Sequence, residues 1–100
     1  MVYCRDYTPL KTRVEHWKIY IFPKESGYQR VEATREYRIG RDTWETINDM
    51  SIVPFDIELD EDEDGEEFWY SSLSLKEIHA LLKGEGWHVE GVNPDSFTSR

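Results

Sequence analysis

RVEHWKIYIFPKESGYQRVEATREYRI, residues 13–39, decides the fold. Over 13–22, Trp17, Ile19 and Ile21 fall on one side of a period-two alternation, and His16, Lys18, Tyr20 and Phe22 fall on the other. β-Branched and aromatic residues dominate, which predicts a strand. Pro23 ends it, and Gly27 supplies a turn residue free to take positive φ. From Tyr28 to Ile39 the alternation returns. Val31, Ala33, Tyr37 and Ile39 share a face that Arg35 interrupts, and Arg30, Glu32, Thr34, Glu36 and Arg38 share the other. Two such runs across a turn read as an antiparallel pair with one wet face.

Working outward, Gly40 breaks the pattern. Asp42-Thr-Trp-Glu45 has the form of a capping box, so residues 42–50 read as a short helix in preference to a third strand, which stays open as the alternative. Residues 51–59 read as a strand with Phe55, Ile57 and Leu59 on one face, and Pro54 places it at a sheet edge or bulge. An acidic tip containing Gly65 follows, then a return strand over 67–73. Ser74-Leu-Lys-Glu77 is a second capping box. It opens a helix whose stripe is Leu75, Ile78, Leu81 and Leu82, with Gly84 at its C-terminal end. A short last strand is expected over 87–92. The pattern is α+β: an antiparallel sheet of about four to five strands with one main C-terminal helix, and one short helix where 42–50 is not a strand. The chain reads as a single domain over 1–92, with 93–100 a mobile tail.

Four Trp, six Tyr and four Phe in 100 residues are too many aromatics for a disordered chain. The single cysteine, Cys4, excludes an internal disulfide and points to a reducing, cytoplasmic location. No apolar run approaches a membrane span, and the first residues lack the apolar core of a signal peptide. The formal charge of −9 is unevenly placed. Residues 42–75 hold twelve Asp/Glu and no Lys or Arg, while residues 1–41 hold nine Lys/Arg against five acids. Direct binding to nucleic acid requires cationic surface for counterion release, so the overall field argues against it, and against an anionic membrane.

FDIELDEDEDGEEFWY, residues 55–70, concentrates that charge in nine carboxylates. Asp60, Asp62, Asp64 and Gly65 match the opening of an EF-hand loop, but its closing bidentate Glu falls on Ser71. A solvated hairpin tip is the ordinary reading of such a run. The functional reading is a polyanionic surface. If Phe55, Ile57 and Leu59 face the core, then Asp56, Glu58 and Asp60 point outward together, about 6.6 Å apart at the rise of a strand. That spacing is similar to successive phosphates of a nucleic-acid strand, so the row suits a basic groove. Asp56, Glu58, Asp60, Glu61, Asp62, Glu63, Asp64, Glu66 and Glu67 are the candidate partner-binding residues. Trp69, opposite in phase to Phe68 and Tyr70, is the candidate aromatic anchor.

Other chemistry finds little support. His16, His79, His88 and Cys4 lack the spacing of a structural zinc site. No nucleophile sits in an elbow motif, and Gly84-Glu-Gly86 follows a helix where a phosphate loop precedes one. No enzyme, cofactor or metal is expected. The leading expectation is a non-enzymatic inhibitor that presents the acidic hairpin to a basic, nucleic-acid-binding protein. In size and composition, though by no motif, this is similar to the DNA-mimic inhibitors that phages and mobile elements direct against restriction or CRISPR machinery, and to the acidic immunity proteins of nuclease toxins. The alternatives are a self-assembling protein or homodimer, in which basic strands dock a neighbour's hairpin, and a divalent-cation-binding domain.

Overall fold

The computed structural model describes residues 1–10, 13–24 and 27–91. The tail expected over 93–100, and residues 25–26 of the turn after Pro23, lie outside them. The chain folds into β1 (Val2–Leu10), β2 (Arg13–Pro23), β3 (Gln29–Arg38), β4 (Trp44–Asn48), a 3-10 turn (Met50–Ile52), β5 (Glu58–Glu61), β6 (Glu67–Ser71), α1 (Leu75–Gly84) and β7 (His88–Gly91). The fold is α+β. A seven-stranded sheet runs β5-β6-β3-β2-β1-β7, with β4 also paired to β3. Every pairing is antiparallel. The count exceeds the expected strands because β1 and β4 join.

The alternation of 13–39 sets the centre. Ile19 lies opposite Ala33 and Ile21 opposite Val31, and Tyr3 of β1 lies opposite Ile19. These five side chains form one inner face and are all buried. Helix α1 lays Ile78 and Leu82 into the same cluster, with Ile52 and Trp87 closing it. Phe55 and Ile57 are half-buried against its margin.

Helix α1 begins as its sequence dictates. Ser74 and Glu77 form the reciprocal capping box. It ends at the expected glycine, but the left-handed residue lies two positions further on. Gly86, at φ 89, takes the left-handed position, while Gly84 is still helical. The Gly86 N–H donates to the Lys83 carbonyl at 3.1 Å and the Trp87 N–H to the Leu82 carbonyl at 2.9 Å. This is a Schellman ending, and it turns Trp87 back against Leu82.

Two expected elements are corrected. The helix expected over 42–50 is a strand, β4, paired with β3 from Thr34 to Arg38. Beyond Val31, β3 has no partner from β6, and the open edge offers Trp44–Asn48 a full ladder that outweighs a local capping signal. Helical structure comes only at Met50–Ile52, capped by Asp49. The strand expected over 51–59 begins only at Glu58, because the 3-10 turn and Pro54 occupy its first half.

Asp49 also bridges to the sheet. Arg35, the interruption in the inner face of β3, places its Nε 3.7 Å from both Glu15 and Asp49. The Asp49 carboxyl is held below its ordinary range by the Ser51 hydroxyl, against the effect of burial, then by the Ser51 amide and Arg35. A lowered folded-state value means that its stabilisation is complete above the ordinary carboxylate range and lost as pH falls through the lowered one. Asn keeps the capping acceptor but loses the charge, so replacing Asp49 by Asn is expected to cost about 1 kcal/mol at pH 7, the difference between hydrogen bonds to charged and to neutral acceptors. In urea denaturation, the difference from wild type should shrink at pH 2.5. A difference that persists there would assign the loss to packing instead.

Candidate functional site

The acidic segment forms a two-stranded ribbon at the edge of the sheet. β6 pairs with Gln29–Val31 of β3, and β5 pairs only with β6. Glu58 lies opposite Tyr70, Leu59 opposite Trp69, Asp60 opposite Phe68 and Glu61 opposite Glu67. Every residue from Glu58 to Glu67 is exposed.

The register distributes the carboxylates over both faces. Glu58 and Asp60 share the outer face with Phe68, Tyr70 and Arg30. Glu61 and Glu67 share the inner side with Leu59, Trp69 and Val31. The outward row of three is therefore reduced to Glu58 and Asp60. Asp56 is exposed but precedes the strand. Leu59 does not reach the core and remains 46% exposed. Trp69 is half-buried on the face opposite Glu58 and Asp60, beside Val31, Ala33 and Met50 around a notch of about 230 Å³. The aromatics that accompany Glu58 and Asp60 are Phe68 and Tyr70.

Glu63, Asp64 and Gly65 form the tip. The Asp62 N–H donates to the Glu66 carbonyl at 2.9 Å and the Gly65 N–H to the Asp62 carbonyl at 3.0 Å. Gly65, at φ 81, supplies the left-handed residue of a three-residue hairpin loop. Asp62 serves this turn. Its Oδ1 accepts from the Asp64 N–H at 2.9 Å and the Glu66 N–H at 3.0 Å. Replacing Asp62 by Ala should cost roughly 1 kcal/mol per lost bond, and hydrogen exchange at Asp64 and Glu66 should accelerate. Asn retains the acceptor and should retain the protection. Equal exchange in both variants would mean that the backbone alone holds the turn.

Electrostatically the ribbon stands alone. Among the described residues, ion pairs join Lys18 to Glu90, and Arg35 to Glu15 and Asp49, and the His16 ring lies within hydrogen-bond distance of Asp6. No Lys or Arg among the described residues pairs with a carboxylate of the ribbon. Arg30 comes nearest in register, opposite Tyr70, but its guanidinium lies 5.0 Å over the Phe68 ring. Glu61 and Glu67, directly opposed, repel each other. The Tyr70 phenol is pushed up by its local burial, and then by Glu58 and Asp60.

The other chemical candidates are dispersed, with one exception. No three His, Cys, Asp or Glu among the described residues converge as metal ligands. Ser71, where an EF-hand would close, is buried, with its Oγ accepting from the Leu73 N–H. The exception is a contact that sequence spacing conceals. β1 and β7 pair Cys4 with His88, and Sγ lies 3.0 Å from Nε2. Burial, and then Glu90 and Asp6, push this thiol up against the opposing effect of Lys18. A raised value disfavours the thiolate that a nucleophile needs.

Compared with known proteins, the chain matches no family profile, no curated protein and no solved structure.

Proposed function

We propose that this is a small non-enzymatic binding protein that inserts its acidic ribbon into the nucleic-acid groove of a basic protein and so blocks it. The observation that carries the reading is the unneutralised ribbon itself: exposed carboxylates on both faces and at the tip, without a paired Lys or Arg among the described residues. Two further features support it. The ladder to β6 and the Asp62-capped turn hold the charges in place, so binding forfeits less entropy than a flexible acidic tail would. The two-sided distribution suits a groove that closes around the ribbon better than a flat basic surface. Repulsion among these groups destabilises the fold until a cationic partner relieves it.

The test is capture on the immobilised protein from a lysate of the cells that produce it, followed by elution with duplex DNA or RNA. A protein displaced by nucleic acid, released by moderate salt, and absent when Glu61, Glu63 and Asp64 are lysines supports the reading. A partner that nucleic acid cannot displace removes the groove from it. The homodimer reading draws on Arg38 and Arg41, exposed and remote in sequence from the ribbon. Sedimentation decides it, since self-association through such charges should weaken as salt rises.

A further inference from the structure

The outer face of the ribbon contains a second feature, built from aromatic rings. Tyr28, just before β3, meets Phe68 and Tyr70 of β6. The Tyr28 and Phe68 centroids are 6.5 Å apart at 23°, Tyr28 and Tyr70 are 5.5 Å apart at 71°, and Phe68 and Tyr70 are 6.2 Å apart at 50°. These orientations do not form a flat stack. Together with Asp60 the rings wall a cavity of about 220 Å³. Arg30 lies over Phe68 but is not part of that wall.

The wall chemistry selects a cation. Ring faces carry negative quadrupole potential, and several around one site favour an ammonium group. Asp60 adds a full negative charge. One of its oxygens accepts from the Glu61 N–H at 2.8 Å, and the other is not engaged by that bond. The volume is below that of a pocket for a drug-sized ligand and suits the end of one side chain. A planar guanidinium is satisfied by a single ring face, as Arg30 is on Phe68. A compact ammonium on an aliphatic stem makes use of several rings and one carboxylate.

We propose that this pocket receives a lysine side chain of the basic partner, its ammonium at Asp60 and its methylenes against Tyr28, Phe68 and Tyr70. The proposal rests on the ribbon being the partner-binding surface. It gives the partner a point of specificity that diffuse charge attraction lacks.

The experiment is an NMR titration of the intact protein with N-acetyl-lysine methylamide, with the arginine analogue and sodium chloride in parallel. The lysine probe should shift the ring resonances of Tyr28, Phe68 and Tyr70 saturably at millimolar concentration. The arginine probe should bind at least fivefold more weakly. Tyr28→Leu and Asp60→Asn should each abolish saturation while the circular dichroism stays native, and Asp60→Asn leaves every ring in place should the first variant unfold. Equal shifts from sodium chloride, or equal binding of the arginine probe, would overturn the proposal. Binding to the captured partner separates the two ideas. If reversing Glu61, Glu63 and Asp64 abolishes it while Tyr28→Leu leaves it unchanged, the lysine pocket fails and the ribbon reading stands. If the reversal changes nothing, the ribbon reading fails, and the probe titration still decides whether the pocket binds an ammonium.

Discussion

Changing Glu61, Glu63 and Asp64 to lysine should lower affinity for the basic partner by at least about a hundredfold, with most of the loss in the association rate. Steered encounters run some two to three orders of magnitude faster than neutral ones at low salt, and inverting the tip removes the steering field. The choice of positions follows from the geometry. Asp62 is left intact because it caps the turn, and Asp60 because it walls the aromatic cavity. Stability should move the other way. Glu61 faces Glu67 directly, so a lysine there converts a repulsive cross-strand pair into an attractive one, worth roughly 0.2–1 kcal/mol. Stopped-flow association at two salt concentrations, with urea denaturation of the same variant, checks both halves. Weaker binding with greater stability would mark the ribbon as a feature retained for recognition. Unchanged association rates would move the interface away from it.

The second large effect is in the core. Replacing Trp87 by Ala should cost about 3–5 kcal/mol, the usual loss for a buried large aromatic. A small domain has about 5–15 kcal/mol in total, so the variant should be near the edge of folding at room temperature. Trp87 is 3% exposed and follows the Schellman ending of α1, so its ring joins the helix to the sheet and approaches Trp17 at 6.2 Å. Trp44 is the control. On the edge strand β4 and 41% exposed, it makes ring contacts with His16 and Arg38 among the described residues, and its truncation should change stability by less than about 1 kcal/mol. Denaturation followed by far-ultraviolet circular dichroism compares the two. Equal midpoints would exclude Trp87 as the joint between helix and sheet.

Particular residues explain what could be read in advance. Ile19, Ile21, Val31 and Ala33 alternate without interruption, and their partners are near in sequence, so β2, β3 and their antiparallel pairing were legible. So was α1, because Ser74 and Glu77 are only one turn apart. β1 was not legible. Of its inner positions Tyr3, Arg5 and Tyr7, only Tyr3 is covered by the core, so no apolar alternation announces the strand. At Asp42 a local signal was real but lost to a vacant sheet edge. In the ribbon, the opposite phases of Trp69 and Phe68 were visible, but which phase faces outward depends on the pairing of Trp69 with Val31. The aromatic cavity depends on the same pairing, since Tyr28 reaches Phe68 only through it.

β1 and β7 join opposite ends of the described chain, with Val2 opposite Gly91 and Cys4 opposite His88. During synthesis this has a temporal consequence. The β1–β2–β3 meander can assemble as soon as it leaves the ribosome, but the far edge of Val2–Cys4 stays unpaired until residues 88–91 emerge. At roughly 5–20 residues per second that interval lasts several seconds, in which Val2–Cys4 is an open template for any extended chain nearby. Closing the final ladder also brings together residues nearly the whole chain apart, the kind of contact that slows folding most. The growing sheet is therefore most exposed to misassembly along the start of β1, and closes there only when β7 arrives.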